Sequence, residues 1–250
     1  MRTTSMRRVS GVVVVMTAGI LLLPGVASAS SNVTATAGAV TMASSPPASV
    51  QLHAWVSTTA IQGFFENETT LSTGQAVDTD TPGFVNNVSQ LVATTIPAGT
   101  CVDSYLLQWD PGGLPPPQTA QADGSVSFDQ TILGVEVLDG SLDNSDPLGS
   151  SSTSYPTGLN VERGMELIGA AHTNRSGNPD TFTLNSSLTK LTVHMDTGAY
   201  FDQVRALVSC GPPANTPEVS KVLIIPVVAG SAFGAVLVWR RLGSRRRRAY

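Results

Sequence analysis

Short runs of alternating apolar and polar residues fill the central part of the chain. Tyr105, Leu107 and Trp109 fall on one face of one run, as do Val126 and Phe128 of another. Such period-two alternation is typical of β-strands with one buried face and one face toward solvent. The pattern predicts strands over residues 50–57, 61–66, 85–95, 102–110, 125–130, 132–138, 165–170, 181–185, 188–195 and 203–209.

Turn residues separate these runs, and between the two ends of the chain no long stretch shows a helical period. Clusters such as Pro111-Gly112-Gly113 and Asp123-Gly124 stand between the apolar runs. Many short strands with turns at this spacing predict an all-β fold, an antiparallel β-sandwich over residues 50–210, with one short helical turn over Ser141–Leu148. Residues 30–49 are rich in Ser, Thr and Ala with few large apolar side chains, and we expect a flexible segment there.

The strongest apolar run lies at the C-terminal end. Residues 222–239 carry no charge, and as a helix they would extend about 27 Å, close to the ~30 Å hydrocarbon core of a bilayer. Trp239 ends the run, and six arginines follow within residues 240–248. A buried core helix is the alternative, but arginines in this number favour a transmembrane helix with a basic cytoplasmic tail over residues 240–250.

The N-terminal end has the three parts of a secretory signal peptide. Arg2, Arg7 and Arg8 precede a short apolar stretch, which ends at the small-residue pattern Ala27-Ser28-Ala29. This pattern predicts a signal peptide over residues 1–29. The Arg7-Arg8 pair raises the twin-arginine route as an alternative, whereas Ser10 and Gly11 favour the general secretory route. We therefore expect an exported single-pass protein, with its bulk extracellular and a Pro-rich stalk over residues 211–221.

Removing both ends exposes a strong charge asymmetry. The predicted extracellular part holds seventeen of the eighteen acidic residues against four basic ones, a net charge of −13 with neutral histidines. The basic residues are Arg163, Arg175, Lys190 and Arg205. So acidic a surface repels nucleic acid, and we exclude nucleic acid as a partner. Cation binding and a solvated acidic surface both remain open.

The chain has two cysteines, Cys101 and Cys210, both in the predicted exported part. An even number of cysteines in an oxidising compartment predicts one disulfide, which would join an early strand to the last one. Two free or metal-binding thiols are the alternative, but neither cysteine has a second cysteine or a histidine nearby in the sequence.

The C-terminal sequence Pro217-Glu218-Val219, followed by the apolar run and the arginines, resembles the tripartite sorting tails of bacterial surface proteins. It is similar in layout to PEP-CTERM tails, although Val219 stands where their motif ends in proline. No Leu-Pro-x-Thr-Gly motif precedes the run. Residues 83–210 resemble a β-sandwich domain that recurs in exported proteins with such tails. The resemblance implies a location at the cell surface and names no chemistry.

Catalytic motifs give little support for an enzyme. The chain lacks the G-x-S-x-G pattern of a nucleophile elbow, and its histidines, His53, His172 and His194, stand in no motif. Ser187 and Lys190 match S-x-x-K, which needs a helix to place both side chains on one face, whereas a strand is predicted there. We therefore predict no catalytic residues and no enzyme activity.

One loop is dense in oxygen ligands. Asp139, Asp143 and Asp146 lie within eight residues, and loops of this composition can bind Ca²⁺, although the spacing is not that of an EF-hand. A capped polar turn is the alternative interpretation. Carboxylates of the same loop could also serve as the acid pair of a hydrolase.

Five aromatic residues could include exposed rings that stack on sugars, as in carbohydrate-binding modules. They are Trp55, Phe64, Phe65, Tyr155 and Tyr200. By contrast, Tyr105, Trp109 and Phe128 fall at inward-facing strand positions, for which we expect core packing.

The sequence favours a non-enzymatic, membrane-anchored protein with a structural or adhesive role at the bacterial cell surface. Its expected partners are the membrane and a cell-wall glycan or another surface protein. A carbohydrate-binding module is the first alternative, and a surface hydrolase that uses paired carboxylates is the second.

Overall fold

A computed structural model describes residues 32–114, 118–157, 163–170, 178–198 and 200–211. The predicted signal peptide, transmembrane helix and basic tail, and all but the first residue of the predicted stalk, lie outside these residues. Within the described part of the chain, no helix is both long and apolar enough to cross a bilayer.

Twelve strands and one α-helix form the regular structure of the described residues. The strands are β1 (Val33–Gly38), β2 (Val40–Ala43), β3 (Ile61–Thr70), β4 (Gln75–Val77), β5 (Gly83–Val85), β6 (Thr94–Ile96), β7 (Cys101–Trp109), β8 (Ala120–Phe128), β9 (Ile132–Glu136), β10 (Thr181–Leu184), β11 (Lys190–Thr197) and β12 (Asp202–Ser209). The helix α1 is Asp139–Ser145. One 3₁₀ turn lies before it in the chain, at Val88–Gln90, and another directly after it, at Asp146–Leu148. The helical turn predicted at residues 141–148 is thus confirmed.

The strands form two five-stranded sheets. The first sheet has the order β1-β8-β11-β10-β5, and the second has the order β2-β3-β7-β12-β9. All neighbours pair antiparallel except β2 and β3, which pair parallel. A small third sheet pairs β4 with β6. The predicted all-β class with antiparallel sheets is confirmed.

The main core lies between the two sheets and is almost wholly apolar. The first sheet contributes side chains such as Val126, Leu191 and Met195, and the second contributes residues such as Tyr105 and Val204. These side chains alternate along their strands, so the period-two pattern identified the core-facing positions correctly. The predicted inward positions of Tyr105, Trp109 and Phe128 are also confirmed, because each of these side chains is buried.

The expectation of a flexible segment over residues 30–49 was wrong for residues 33–43. The strand β1 pairs with β8 in the first sheet, and β2 pairs with β3 in the second sheet. Gly38, at φ +67°, lies at the change of direction, where an added Cβ would come within 2.5 Å of the Asp123 carbonyl oxygen. An edge strand is held by backbone hydrogen bonds, so Val, Thr and Ala suffice there without large apolar side chains.

The strand predicted over residues 85–95 is broken, because β5 ends at Val85, a 3₁₀ turn spans Val88–Gln90 and β6 begins only at Thr94. Two other predicted strands are absent. Residues 51–55 form turns, and residues 165–170 run irregularly with one bridge, between Asn87 and Ile168. The predicted solvent-exposed faces of β7 and β12 are buried as well, because α1 and the loops around Val50 and Tyr155 cover the outer face of the second sheet.

The predicted disulfide is confirmed. Cys101 at the start of β7 bonds Cys210, which directly follows β12, and their Cα atoms lie 5.5 Å apart. The bond joins neighbouring strands of the second sheet, since Val102 pairs with Ser209 in their register. The described residues contain no free cysteine.

Candidate functional site

The outer face of the second sheet carries the densest group of charged side chains among the described residues. We call this group the arginine cluster; it consists of Arg163, Arg205, Glu66, Glu136 and Asp146. Four of these side chains are completely removed from solvent, and that of Asp146 is 11% exposed. Charged side chains at this depth are rare unless they are paired.

Arg205 is the centre of the cluster. Its Nε and Nη2 donate to the two carboxylate oxygens of Glu66 at 2.8 and 3.0 Å, a bidentate pair. The remaining N–H groups donate to the carbonyl oxygen of Leu142 at 3.0 Å, to Oδ1 of Asp146 at 3.1 Å and to Oγ of Ser145. A guanidinium has five N–H donors, so every donor of Arg205 has an acceptor.

Arg163 forms the second half of the cluster. Its Nη1 and Nη2 donate to the two carboxylate oxygens of Asp146 at 2.9 and 2.8 Å, and Nη1 also contacts Asp143 at 3.3 Å. Nη1 donates in addition to the carbonyl oxygen of Pro156. Asp146 therefore lies between both arginines, since its Oδ1 accepts from each of them.

The three aspartates of the calcium hypothesis all lie at this cluster. Asp143 and Asp146 face the guanidinium of Arg163, and Oδ1 of Asp139 accepts the backbone N–H groups of Arg163 and Gly164 at 2.8 and 2.6 Å. The cation that the carboxylates of Asp143 and Asp146 face in the structure is thus an arginine of the same chain. Calcium binding by the loop stays a prediction.

Burial and pairing set the charge states of the two glutamates. Burial alone would raise the pKa of Glu66, but the adjacent Arg205 outweighs it and the pKa is lowered. Burial raises the pKa of Glu136 to about 7, although Arg205, Ser145 and Gln75 partly offset it. The pKa values of the two glutamates shift in opposite directions because Arg205 donates two hydrogen bonds to Glu66 but comes only within 3.9 Å of Glu136.

The helix α1 brings Ser145 and the Leu142 carbonyl to Arg205. Its start is fixed by Asp78, whose Oδ2 accepts the backbone N–H groups of Val137 and Leu138 at 2.7 and 2.9 Å. Leu142 itself packs with Val50 and Phe64 in a small apolar group beside the cluster. The helix is therefore positioned by a buried carboxylate on one side and by apolar contacts on the other.

The aromatic residues considered for sugar stacking are engaged in packing or held beside the cluster. Phe64 is fully buried and meets Trp55 edge-on, with ring centroids 5.4 Å apart. Phe65 packs against Tyr105, also at 5.4 Å, and the ring of Tyr155 lies 5.4 Å from the Arg205 guanidinium. Tyr200 is half-buried.

Two histidines pair with aspartates that are distant in the chain, and no local sequence pattern predicts these pairs. Nδ1 of His53 lies 3.2 Å from Oδ1 of the buried Asp110, and Nδ1 of His194 lies 2.7 Å from the exposed Asp123. His172 lies outside the described residues. Asp110 also accepts the backbone N–H groups of His53 and Gly112, so its first role is to hold these two turns together.

The S-x-x-K match has the geometry of a turn. Ser187 Oγ contacts Thr189 Oγ1 at 2.9 Å, and the side-chain oxygen of Asn185 accepts the backbone N–H groups of Thr189 and Lys190. Lys190 then begins β11. Ser187 and Lys190 therefore do not share a helix face, as the sequence analysis predicted.

Among the described residues, one set of three His, Cys, Asp or Glu side chains brings its ligand atoms within 4.8 Å of one another. It consists of Glu68, Cys101 and Cys210. Both sulfurs of this set are bonded to each other in the disulfide, so they are not thiolate ligands.

Comparison of the chain with protein-family models, with curated proteins and with solved structures found no match.

Taken together, the contacts of the arginine cluster are those of a structural core. Each arginine has two or more acceptors, and each carboxylate has a donor. The reacting groups of a hydrolase or transferase need contact with a substrate, and these buried side chains lack that access. Sequence reasoning missed the cluster because the strand pattern over residues 203–209 carries no sign that α1 and two loops cover the Arg205 side of β12. A signal was present: Arg163 and Arg205 are two of only four basic residues in a strongly acidic segment.

Proposed function

We propose that this protein is an exported β-sandwich protein, held at the bacterial cell surface by its C-terminal segment, with a structural or adhesive role. The observation that carries the proposal is the disulfide between Cys101 and Cys210. Disulfides persist in oxidising compartments outside the cytosol, so the bond agrees with the export that the N-terminal sequence predicts.

The position of the disulfide suits a tethered protein. Gly211, the first residue of the predicted stalk, is the last described residue and follows β12 closely, so a pull on the C-terminal segment enters the fold through β12. That strand pairs with β7 over eight residues, and the disulfide lies at the end of the pair where the pull would arrive. A covalent bond at this point keeps β12 from peeling away from β7 under load.

The arginine cluster supports the same role. Direct hydrogen bonds between protein groups in this cluster join β3 and β12 to α1. The packing contacts of Trp55, Phe64 and Phe65 favour this structural role over a glycan-stacking surface built from those rings.

Intact-mass analysis of the protein released from its native membrane tests the proposal. We expect a chain that starts near residue 30 and gains 2 Da on reduction, in accord with one disulfide. Protease treatment of intact cells should remove the central part of the chain, and a variant that ends at residue 216 should be found in the medium. A protein that keeps residues 1–29 and resists protease on intact cells would contradict export.

The structural role has its own test in the double variant Cys101→Ala with Cys210→Ala. The cysteines are separated by 109 residues, for which loop-closure entropy gives roughly 4–5 kcal/mol of stabilisation. We expect cells with this variant to lose adhesion or surface retention under flow, while cells with the variant Ser187→Ala behave as the wild type. Equal behaviour of the two variants would contradict a load-bearing role for the bond.

A further inference from the structure

The strand β1 forms an open edge of the first sheet. It pairs with β8 on one side, and among the described residues no strand or isolated bridge pairs with its other side. Its residues from Thr34 to Gly38 are exposed, and Val33 is half-buried. An edge strand of this kind presents a row of backbone N–H and C=O groups that another strand can bind.

The hydrogen bonds of β8 show which groups of β1 point outward. Phe128 of β8 donates its N–H group to the carbonyl oxygen of Thr189, on the side of β11. The direction of hydrogen bonding alternates along an antiparallel strand, so Val126 also bonds toward β11. Thr36 is the residue of β1 that pairs with Val126, in the regular register that follows the shift at the start of β1. The N–H and C=O groups of Thr36 therefore point away from β8, to the open side of the strand.

The other edges of the two large sheets are shorter or covered. Residues 78–79 cover β9, because they exchange backbone hydrogen bonds with Val135. The edge strand β5 has three residues and β2 has four, whereas β1 has six. Residues 33–43, which include β1 and β2, contain neither a charged residue nor a proline. Charges and prolines commonly protect an edge strand from pairing with other chains, so this edge lacks both kinds of protection.

A second copy of this chain is the partner that fits this edge. The predicted extracellular part has a net charge of −13, so two copies repel each other over most of their surface. Residues 33–43 carry no charge, so two copies meet there without placing like charges opposite each other. The segment that follows β12 is disfavoured as the occupant, because Pro212, Pro213 and Pro217 have no N–H group to donate.

The place where the chain leaves the fold is compatible with such a pair. Asn32, directly before β1, donates its side-chain N–H to the Ser209 carbonyl at 3.3 Å, and a Cβ added at Gly211 would lie 3.4 Å from Oδ1 of Asn32. The C-terminal segment thus leaves beside the start of β1. Antiparallel pairing about a two-fold axis at Thr36 places the two exits at opposite ends of the pair, where they stay clear of the paired strands.

We propose that β1 is a dimerisation edge, at which two copies of this chain pair antiparallel about Thr36. The N–H group of each Thr36 donates to the carbonyl oxygen of the other, and the two first sheets join into one continuous sheet. So short a pair of strands binds weakly in solution. Anchoring both copies to one surface would raise their effective concentration and favour the dimer. The pairing itself does not depend on the export proposed above.

Sedimentation of the full chain in detergent tests the pairing. Between about 10 μM and about 1 mM, we expect the wild type to change from monomer to dimer by mass action. Thr36→Pro removes the outward N–H group, which β8 does not use, so the fold should persist and the dimer should be lost. The matched control is Thr36→Val, which keeps this N–H group and the β-branched shape and should dimerise as the wild type does.

Hydrogen exchange of the wild type over the same concentrations locates the contact. We expect the amide of Thr36 to gain about tenfold in protection at the higher concentration, because exchange then requires the dimer to separate. The amide of Leu191, in the centre of the first sheet, serves as the internal reference and should not change.

Three results would overturn the proposal. The wild type could stay monomeric at about 1 mM, or Thr36→Pro could dimerise as the wild type does, which would place the contact on another surface. The amide of Thr36 could also be equally protected at every concentration, which would mean that a segment of the same chain covers the edge. If Thr36→Pro fails to fold, Thr36→Glu takes its place, because it sets two like charges opposite each other at the axis. Surface labelling of intact cells tests the export separately, so a failure of either proposal is recognised independently.

Discussion

Both faces of the second sheet are buried, but the side chains that they bury differ in chemistry. The inner face buries Tyr105, Leu107 and Val204 in an apolar core, whereas the outer face buries Arg205 and Glu66 under α1. Apolar packing tolerates small changes, because each methylene contributes about 0.8 kcal/mol by itself. A buried ion pair does not tolerate the loss of one partner, because the other charge then remains in a medium that cannot hydrate it.

Replacing Arg205 should give the largest change in the free energy of unfolding. Arg205→Met leaves Glu66 buried without its bidentate partner, and we expect the free energy of unfolding to fall by about 3–5 kcal/mol. Urea denaturation at pH 7 measures this loss. Lys190→Met, at an exposed position of β11, is the matched control and should stay within about 0.5 kcal/mol of the wild type. A loss below about 1 kcal/mol for Arg205→Met would mean that the cluster behaves like surface ion pairs.

The second largest effect is a pH dependence of the free energy of unfolding, which arises from Glu136 in the arginine cluster. Burial raises the pKa of Glu136 from 4.5 to about 7, so folding favours the protonated acid. The stability from this residue is complete below pH 4.5 and is lost as pH rises to 7, with an upper bound of roughly 3 kcal/mol at about 1.4 kcal/mol for each pKa unit.

The variant Glu136→Gln should therefore show a smaller fall in unfolding free energy between pH 5 and pH 8 than the wild type. The exposed Lys190 provides the control, and Lys190→Met should keep the wild-type slope. Identical slopes for all three proteins would show that Glu136 does not titrate in this range. Burial raises the pKa of Asp103 to about 6 and that of Asp180 to about 7, so both residues contribute to the slope of every variant and the comparison isolates Glu136.

The smallest effect is expected in the apolar core. Ile61 is fully buried between the sheets, and Ile61→Val removes one methylene at a cost of about 0.5–1.5 kcal/mol. Thermal unfolding of both proteins measures it. If Ile61→Val lost as much unfolding free energy as Arg205→Met, the inner and outer faces of the second sheet would not differ in their tolerance of substitution.

The same contrast explains what the sequence could predict. Period-two alternation identified the inner face, because apolar side chains there repeat at every second position, and it placed Tyr105, Trp109 and Phe128 correctly. The alternation did not indicate that Arg205, on the outer face of β12, is buried, because burial of this face depends on α1 and on two loops that are distant in the sequence.

Other differences have similar physical reasons. The composition of residues 30–49 predicts a flexible segment, but β1 and β2 form there because edge strands need backbone partners more than apolar side chains. The sequence analysis singled out the Asp139, Asp143 and Asp146 loop as a possible calcium site, and calcium binding there stays a prediction. The charge that the structure places there is Arg163, twenty residues away from Asp143 in the chain, and no local pattern indicates that pairing.

A double-mutant cycle on Arg205 and Glu66 tests the account most directly. Unfolding free energies would be measured for the wild type, Arg205→Met, Glu66→Leu and the double variant. Arg205→Met leaves Glu66 buried without its bidentate partner and should lose about 3–5 kcal/mol, whereas Glu66→Leu should lose less because Arg205 keeps its hydrogen bond to Asp146. The double variant should lose clearly less than the sum of the two single losses. Losses that simply add in the double variant would contradict the claim that the outer face of this sheet is held together by a buried ion pair.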